Sequence, residues 1–70
     1  MGNLPSFTPK ELCKILERRG FELKRVKGSH HYYQHPETAR ITVVPMHHRD
    51  LPKGTFHAIL KQAGIDKDEI

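Results

Sequence analysis

A chain of 70 residues with a formal net charge of +4 is long enough for one small basic domain and no more. Its single cysteine, Cys13, excludes an internal disulfide and a cysteine-rich metal cage. No apolar run approaches the roughly 20 residues needed to cross a bilayer, so we expect a soluble, cytoplasmic protein with no membrane partner.

Positive charge is concentrated in the middle of the chain. From Arg18 to Lys53 there are eight Lys or Arg and three acidic residues, and five of the six histidines lie in the same stretch. Clustered cations favour a polyanion partner such as RNA, because phosphate binding releases counterions. The alternative is an ordinary basic surface. Residues 65–70, by contrast, form an acidic tail.

The first predicted element is a helix over residues 9–19. Thr8 can cap it, Pro9 suits its first position, and Glu11 can complete a capping box. Apolar residues then recur at helical spacing, and Gly20 can adopt the left-handed conformation that ends a helix. This is a strong helix start and stop.

Three short strands are predicted next, over residues 21–24, 30–34 and 40–44. The first alternates apolar and charged residues, the second is aromatic, and the third is rich in β-branched residues. Residues 27–29 provide a turn between the first two, and residues 35–39 form a loop before the third. Such short connections favour an antiparallel meander.

Pro45 ends the sheet, residues 46–54 form a loop, and an apolar stripe beginning at Phe56 predicts a second helix that ends at Gly64. The order α-β-β-β-α predicts an α+β fold, with a three-stranded antiparallel sheet and both helices on one face. Double-stranded-RNA-binding domains (dsRBDs) use this arrangement. The other face would stay open to a ligand.

The residues that carry chemistry are predicted to gather at one end of the sheet. Lys27-Gly28-Ser29-His30-His31 feeds histidines into the second strand, His47 follows the third, and Lys53 precedes the second helix. Histidine can act as base or acid near neutrality, whereas lysines and glycine-turn N–H groups can hold phosphate. Together they could cleave RNA through its own 2′-hydroxyl, with no metal or cofactor.

The pattern leaves open which histidine faces the substrate. Neighbouring side chains of a strand point to opposite faces, so His30 and His31 cannot both do so. His30 would share its face with Tyr32 and Gln34. His31 would share the other face with Tyr33 and His35.

Other interpretations compete with a nuclease. The histidines could bind zinc, but only His31 and His35 have a ligand-like spacing, and a strand would hold them about 13 Å apart. They could be polar residues on a solvated surface, the default for His35, His48 and His57. Cys13 is expected to be a small buried or half-buried helix residue and not a nucleophile. A non-catalytic double-stranded-RNA-binding module would need the basic residues alone.

The chain resembles the HicA (YcfA-like) family of mRNA interferases, the toxins of HicA–HicB toxin–antitoxin pairs. The resemblance covers the first helix to Gly64. The motifs that carry it are Arg-Gly-Phe at 19–21, Lys-Gly-Ser-His-His at 27–31, Val-Val-Pro-Met-His at 43–47, Leu-Pro-Lys-Gly-Thr at 51–55 and Ile-Leu-Lys-Gln-Ala-Gly at 59–64.

The resemblance implies a dsRBD-like fold and a metal-independent endoribonuclease that acts on mRNA and is silenced by a HicB antitoxin. The histidine that follows Gly-Ser, His30, would be catalytic, with His31 as the fallback. The RNA-binding candidates are Lys27, Gly28, Ser29, His47 and Lys53. One HicA-like domain would span residues 1–70, with a flexible N-terminus over 1–7 and the acidic tail over 65–70.

Overall fold

The helices and strands follow the order α-β-β-β-α, as the sequence predicts. In this computed structural model, residues 6–46 and 49–70 are described. The elements are α1 (Pro9–Arg18), β1 (Glu22–Lys27), β2 (His30–Gln34), β3 (Ile41–Pro45) and α2 (Lys53–Ala63). Within the described residues, no helix is long and apolar enough to span a membrane.

Helix α1 has the predicted cap. The Glu11 N–H donates to Thr8 Oγ1 at 3.2 Å, and the Thr8 N–H donates to Glu11 Oε1 at 2.8 Å. A cap of this kind stabilises a helix by about 1 kcal/mol. At the other end Gly20 has φ +92°, in the left-handed region that stops a helix. Both ends of α1 are therefore fixed by local sequence.

The three strands form one antiparallel sheet in the order β1-β2-β3. Strand β1 extends beyond the predicted 21–24, because its pairing with β2 continues as far as the turn. The register shifts between Leu23 and Arg25, which leaves Lys24 as the extra residue of a β-bulge. The bulge interrupts the simple alternation from which the shorter strand was predicted.

The core lies between the two helices and one face of the sheet. The sheet contributes Tyr33, Thr42 and Val44, each at most 2% exposed. The remaining members of the core are Leu12, Cys13, Leu16, Phe21, Leu51, Phe56, Ile59, Leu60, Ala63 and Ile65. All six residues of β1 are exposed, so this strand lies at the edge of the covered region.

The ends of the described chain also pack. Phe7 stacks on Phe56 with ring centroids 4.7 Å apart. After Gly64, Ile65 is buried, and Lys67–Glu69 forms one turn of 3₁₀ helix. Arg19 Nη2 donates to the Glu69 carbonyl at 2.6 Å. The acidic residues predicted as a tail are thus folded back against the end of α1.

Candidate functional site

Burial assigns the two faces of β2. Tyr33 is 2% exposed and lies under the helices, so His31, two residues before it, is on the same covered side and is half-buried. His30 and Tyr32 therefore lie on the opposite face, which no helix covers in the described part of the chain. His30 is exposed. His30, the histidine that the sequence analysis favours as catalytic, therefore faces solvent.

A tight turn positions His30. Lys27 and His30 are directly opposite each other in the β1–β2 register, with only Gly28 and Ser29 between them. Gly28 has φ +58° and Ser29 does not have a positive φ, which is the pattern of a type II′ hairpin turn. Residues opposite each other on antiparallel strands have Cβ atoms about 5 Å apart. The Lys27 and His30 side chains therefore leave the sheet side by side, on the open face.

The end of β3 lies beside this turn, as the meander predicted. His30 pairs with Pro45, and the Met46 N–H donates to the Ser29 carbonyl at 2.6 Å. His47 comes next in the chain but lies outside the described residues. Lys53 is exposed at the first position of α2. Within residues 6–46 and 49–70, no hydrogen bond or ion pair links Lys53 to the turn.

The sequence missed one contributor to the open face, Arg25. Its guanidinium carbon lies 5.6 Å from the centroid of the Tyr32 ring, a cation–π distance. Arg25 pairs with Tyr32 in the register only because the bulge at Lys24 shifts β1 by one residue. A strand predicted to end at residue 24 excluded Arg25 from the sheet. The basic residues before the turn were the available signal.

The charged residues of β1 differ in whether they form an ion pair. Lys24 pairs with Glu22, Nζ to Oε1 at 2.9 Å, near the start of the strand. Among the described residues, neither Arg25 nor Lys27 forms an ion pair. The half of the open face next to His30 therefore carries uncompensated positive charge, the arrangement that attracts phosphate.

His35 is engaged in structural contacts. Its Nε2 lies 3.1 Å from the Arg19 carbonyl, and its Nδ1 accepts the N–H groups of Glu37 and Thr38 at 3.1 and 3.3 Å. The ring also meets Phe21 edge-on, with centroids 5.2 Å apart. His35 is half-buried and not simply solvated. His57, by contrast, is exposed.

Cys13 is a core residue, as expected. It is 7% exposed and its Sγ lies 3.7 Å from Met46 Sδ. Burial raises the pKa of the Cys13 thiol, which lowers the fraction of reactive thiolate. Burial likewise raises the pKa of Tyr33, whose hydroxyl donates to Glu17 at 3.3 Å. Neither group suits proton transfer near neutral pH. Over the described residues, no three His, Cys, Asp or Glu side chains gather as metal ligands would.

A three-stranded antiparallel sheet with two helices on one face, and a basic, histidine-bearing turn at one end, defines a small α+β domain of the dsRBD type. The sequence model for the HicA toxin of bacterial toxin–antitoxin systems matches residues 9–65. The match spans most of the chain, so the protein belongs to the HicA toxin family, which is generally a ribonuclease family. Family membership implies an antitoxin partner. A comparison with curated proteins finds no match.

Proposed function

We propose that this toxin is a metal-independent endoribonuclease that cleaves mRNA in the cytoplasm, with His30 as the catalytic residue. One observation carries the proposal. The His30 ring is exposed on the open sheet face, directly across the strand pair from Lys27 and at the edge of a glycine turn. This arrangement supplies a titratable group and a cation at one accessible point.

The chemistry needs only two proton movements. The RNA 2′-hydroxyl oxygen attacks the adjacent phosphorus, and the bond from phosphorus to the 5′-oxygen breaks. The products are a 2′,3′-cyclic phosphate and a 5′-hydroxyl. One proton leaves the 2′-oxygen and one reaches the 5′-oxygen. His30 would serve as general base or general acid for one of these transfers.

The neighbours of His30 would stabilise the charge that develops on phosphorus. Lys27 would place its ammonium group beside the phosphate oxygens, and the Gly28-Ser29 turn would offer backbone N–H groups. Lys53 would add a cation at the start of α2, where the helix dipole also favours an anion. His47 would be a further RNA contact from the loop after β3. A HicB-type antitoxin would inhibit the enzyme by covering His30.

The test compares His30→Ala with His31→Ala on single-stranded RNA in the presence of EDTA. Removing a general acid or base costs about 10²–10⁴-fold in rate, so His30→Ala should lose that much. His31→Ala removes a ring from the opposite face and should retain most of the activity. The new RNA ends should be a cyclic phosphate and a 5′-hydroxyl. The same pair of variants should differ in growth arrest when expressed in cells.

Several results would contradict the proposal. Equal cleavage by His30→Ala and the wild type would remove the role of His30, and loss of activity in His31→Ala alone would transfer that role to the covered face. Abolition of cleavage by EDTA would contradict metal independence. Binding of RNA without new ends or toxicity would favour a non-catalytic RNA-binding module. Co-purification with the product of the adjacent reading frame tests the antitoxin.

A further inference from the structure

The open sheet face next to His30 carries an aromatic ring that the proposed cleavage chemistry does not use. Tyr32 is on the same strand and the same face as His30, two residues further along. At the usual strand rise the two Cα atoms are about 7 Å apart, roughly the span of one nucleotide. A sugar held at His30 could therefore place its own base, or that of its neighbour, on Tyr32.

Tyr32 is half-buried on the open face, with an arginine beside its ring. Arg25, its partner on β1, puts a guanidinium carbon 5.6 Å from the ring centroid. Val43, its partner on β3, is half-buried on the same face, and Ile41 beyond it is 57% exposed. Nucleobases stack on aromatic rings and on arginine planes. The Tyr32–Arg25 pair offers an aromatic ring and a guanidinium plane, with partly apolar residues around them.

The charge distribution favours one end of the open face for the phosphates of a bound strand. Lys27 lies opposite His30 and Arg25 opposite Tyr32, whereas Glu22, already paired with Lys24, lies at the far end of β1. Phosphates would therefore gather near the turn and leave their bases over Tyr32. This alternation of cation, imidazole and aromatic ring matches the alternation of phosphate and base in a nucleic acid strand.

We propose that Tyr32 and Arg25 form a nucleobase-stacking subsite, which holds the nucleotide beside the phosphate cleaved at His30. The subsite takes an unpaired base, because a base within a duplex has no free face to stack. It thereby restricts the substrate to single-stranded RNA. The position of the cleaved phosphate rests on the proposed function, but the stacking itself does not.

The test measures RNA binding in a His30→Ala background, which prevents cleavage. Tyr32→Leu and Tyr32→Phe are compared by fluorescence anisotropy with three labelled probes: an unstructured oligoribonucleotide, the same chain with abasic residues, and its duplex. Stacking is worth enough per base that Tyr32→Leu should weaken binding of the first probe about tenfold. Tyr32→Phe should bind the first probe as well as the parent protein, His30→Ala alone, does. For the abasic and duplex probes, all three proteins should bind alike.

Two controls keep the result interpretable. Gln34→Leu places the same side chain on the same face two residues away, and thermal unfolding of each variant checks that it is folded. If Tyr32→Leu binds the single strand as well as Tyr32→Phe does, the subsite is overturned. It is also overturned if Tyr32→Leu, relative to the His30→Ala parent, loses as much affinity for the abasic probe as for the single strand, or if the parent binds no RNA.

The same variants separate this subsite from the proposed cleavage and from protein docking. If cleavage by the wild type depends on His30 while Tyr32→Leu binds RNA normally, the nuclease stands and the subsite falls. If Tyr32→Leu binds RNA normally but no longer binds the antitoxin, the face is a protein-docking surface, and the subsite is again overturned.

Discussion

His30 begins strand β2 and His35 directly follows its last residue, and the two rings have opposite environments. His30 is the first residue of the strand and is exposed, and its ring forms no hydrogen bond within the described residues. His35 follows the strand, and both of its ring nitrogens have backbone partners. Because Nδ1 accepts two N–H groups, Nε2 must carry the proton and donate to the Arg19 carbonyl. Both ring nitrogens of His35 are therefore occupied by hydrogen bonds to the backbone.

The difference shows what each end of the sheet is for. At the His35 end the chain builds a corner in which the imidazole joins the end of α1 to the loop after β2. The same loop contains Ala39 at φ +62°, a conformation that favours glycine, and its N–H donates to the His35 carbonyl at 2.9 Å. At the His30 end a two-residue turn is enough. A ring that is not needed for the fold is available for chemistry.

The largest effect expected from this comparison is on stability. His35→Ala should lower the free energy of unfolding by about 2 kcal/mol, since it removes three polar contacts and an edge-on contact with Phe21. His30→Ala should change it by less than about 0.5 kcal/mol, as surface substitutions usually do. Urea denaturation of both variants measures the difference. Equal losses would erase the distinction between the two ends.

Gly28, in the turn before His30, and Gly20, in contact with His35, differ in the space that an added side chain would find. Gly28 and Gly20 both have positive φ, so alanine at either is strained by about 1 kcal/mol or more. An added Cβ at Gly28 meets nothing within 4 Å, whereas at Gly20 it would lie 2.9 Å from His35 Nε2. Beyond its backbone strain, Gly20→Ala should therefore cost about 1 kcal/mol through this contact, a typical cost of overpacking that Gly28→Ala does not carry.

A double-mutant cycle locates the cause of that extra cost. If the clash with His35 is responsible, Gly20→Ala should cost less in a His35→Ala background than in the wild type. Gly28→Ala, measured in the same background, is the matched control and should cost the same in both. Additive losses for Gly20 and His35 would contradict the contact.

Local signals were sufficient to predict the order of elements and their caps. Thr8 and Glu11 are three residues apart, and Gly20 and Gly64 act through their own φ angles, so no tertiary contact was needed to recognise them. The meander followed from short connections, and it correctly placed the end of β3 beside the His30 turn.

The faces of the strands depended on contacts that a local pattern does not contain. Both faces of β2 carry a tyrosine, and only the helices decide that Tyr33 is buried and Tyr32 is not. The role of His35 depends on a carbonyl at residue 19, sixteen positions away. The partner of Tyr32 depends on a bulge that no turn residue marks. These are tertiary facts, and they separate a structural histidine from a candidate catalytic one.

The smallest effect concerns Tyr33, which lies on the covered face. Its hydroxyl should affect the free energy of unfolding only at alkaline pH. Burial raises the pKa of its hydroxyl above the usual 10.0 and that of the Cys13 thiol above 9.0. The folded protein thus holds these protons more tightly than the unfolded chain does. Their contribution to stability is complete below those usual values and is lost as pH rises towards the raised pKa values.

Tyr33→Phe isolates that contribution, because it keeps the ring in the core and removes the proton. Between pH 9 and 11 the free energy of unfolding of the wild type should fall more steeply than that of Tyr33→Phe, in denaturant titrations at each pH. Tyr32→Phe is the matched control, since it removes a hydroxyl from the open face and leaves Tyr33 in place. It should keep the alkaline loss. Parallel curves for the wild type and Tyr33→Phe would mean that the Tyr33 hydroxyl reaches water, and the covered face would then be less closed than its 2% exposure implies.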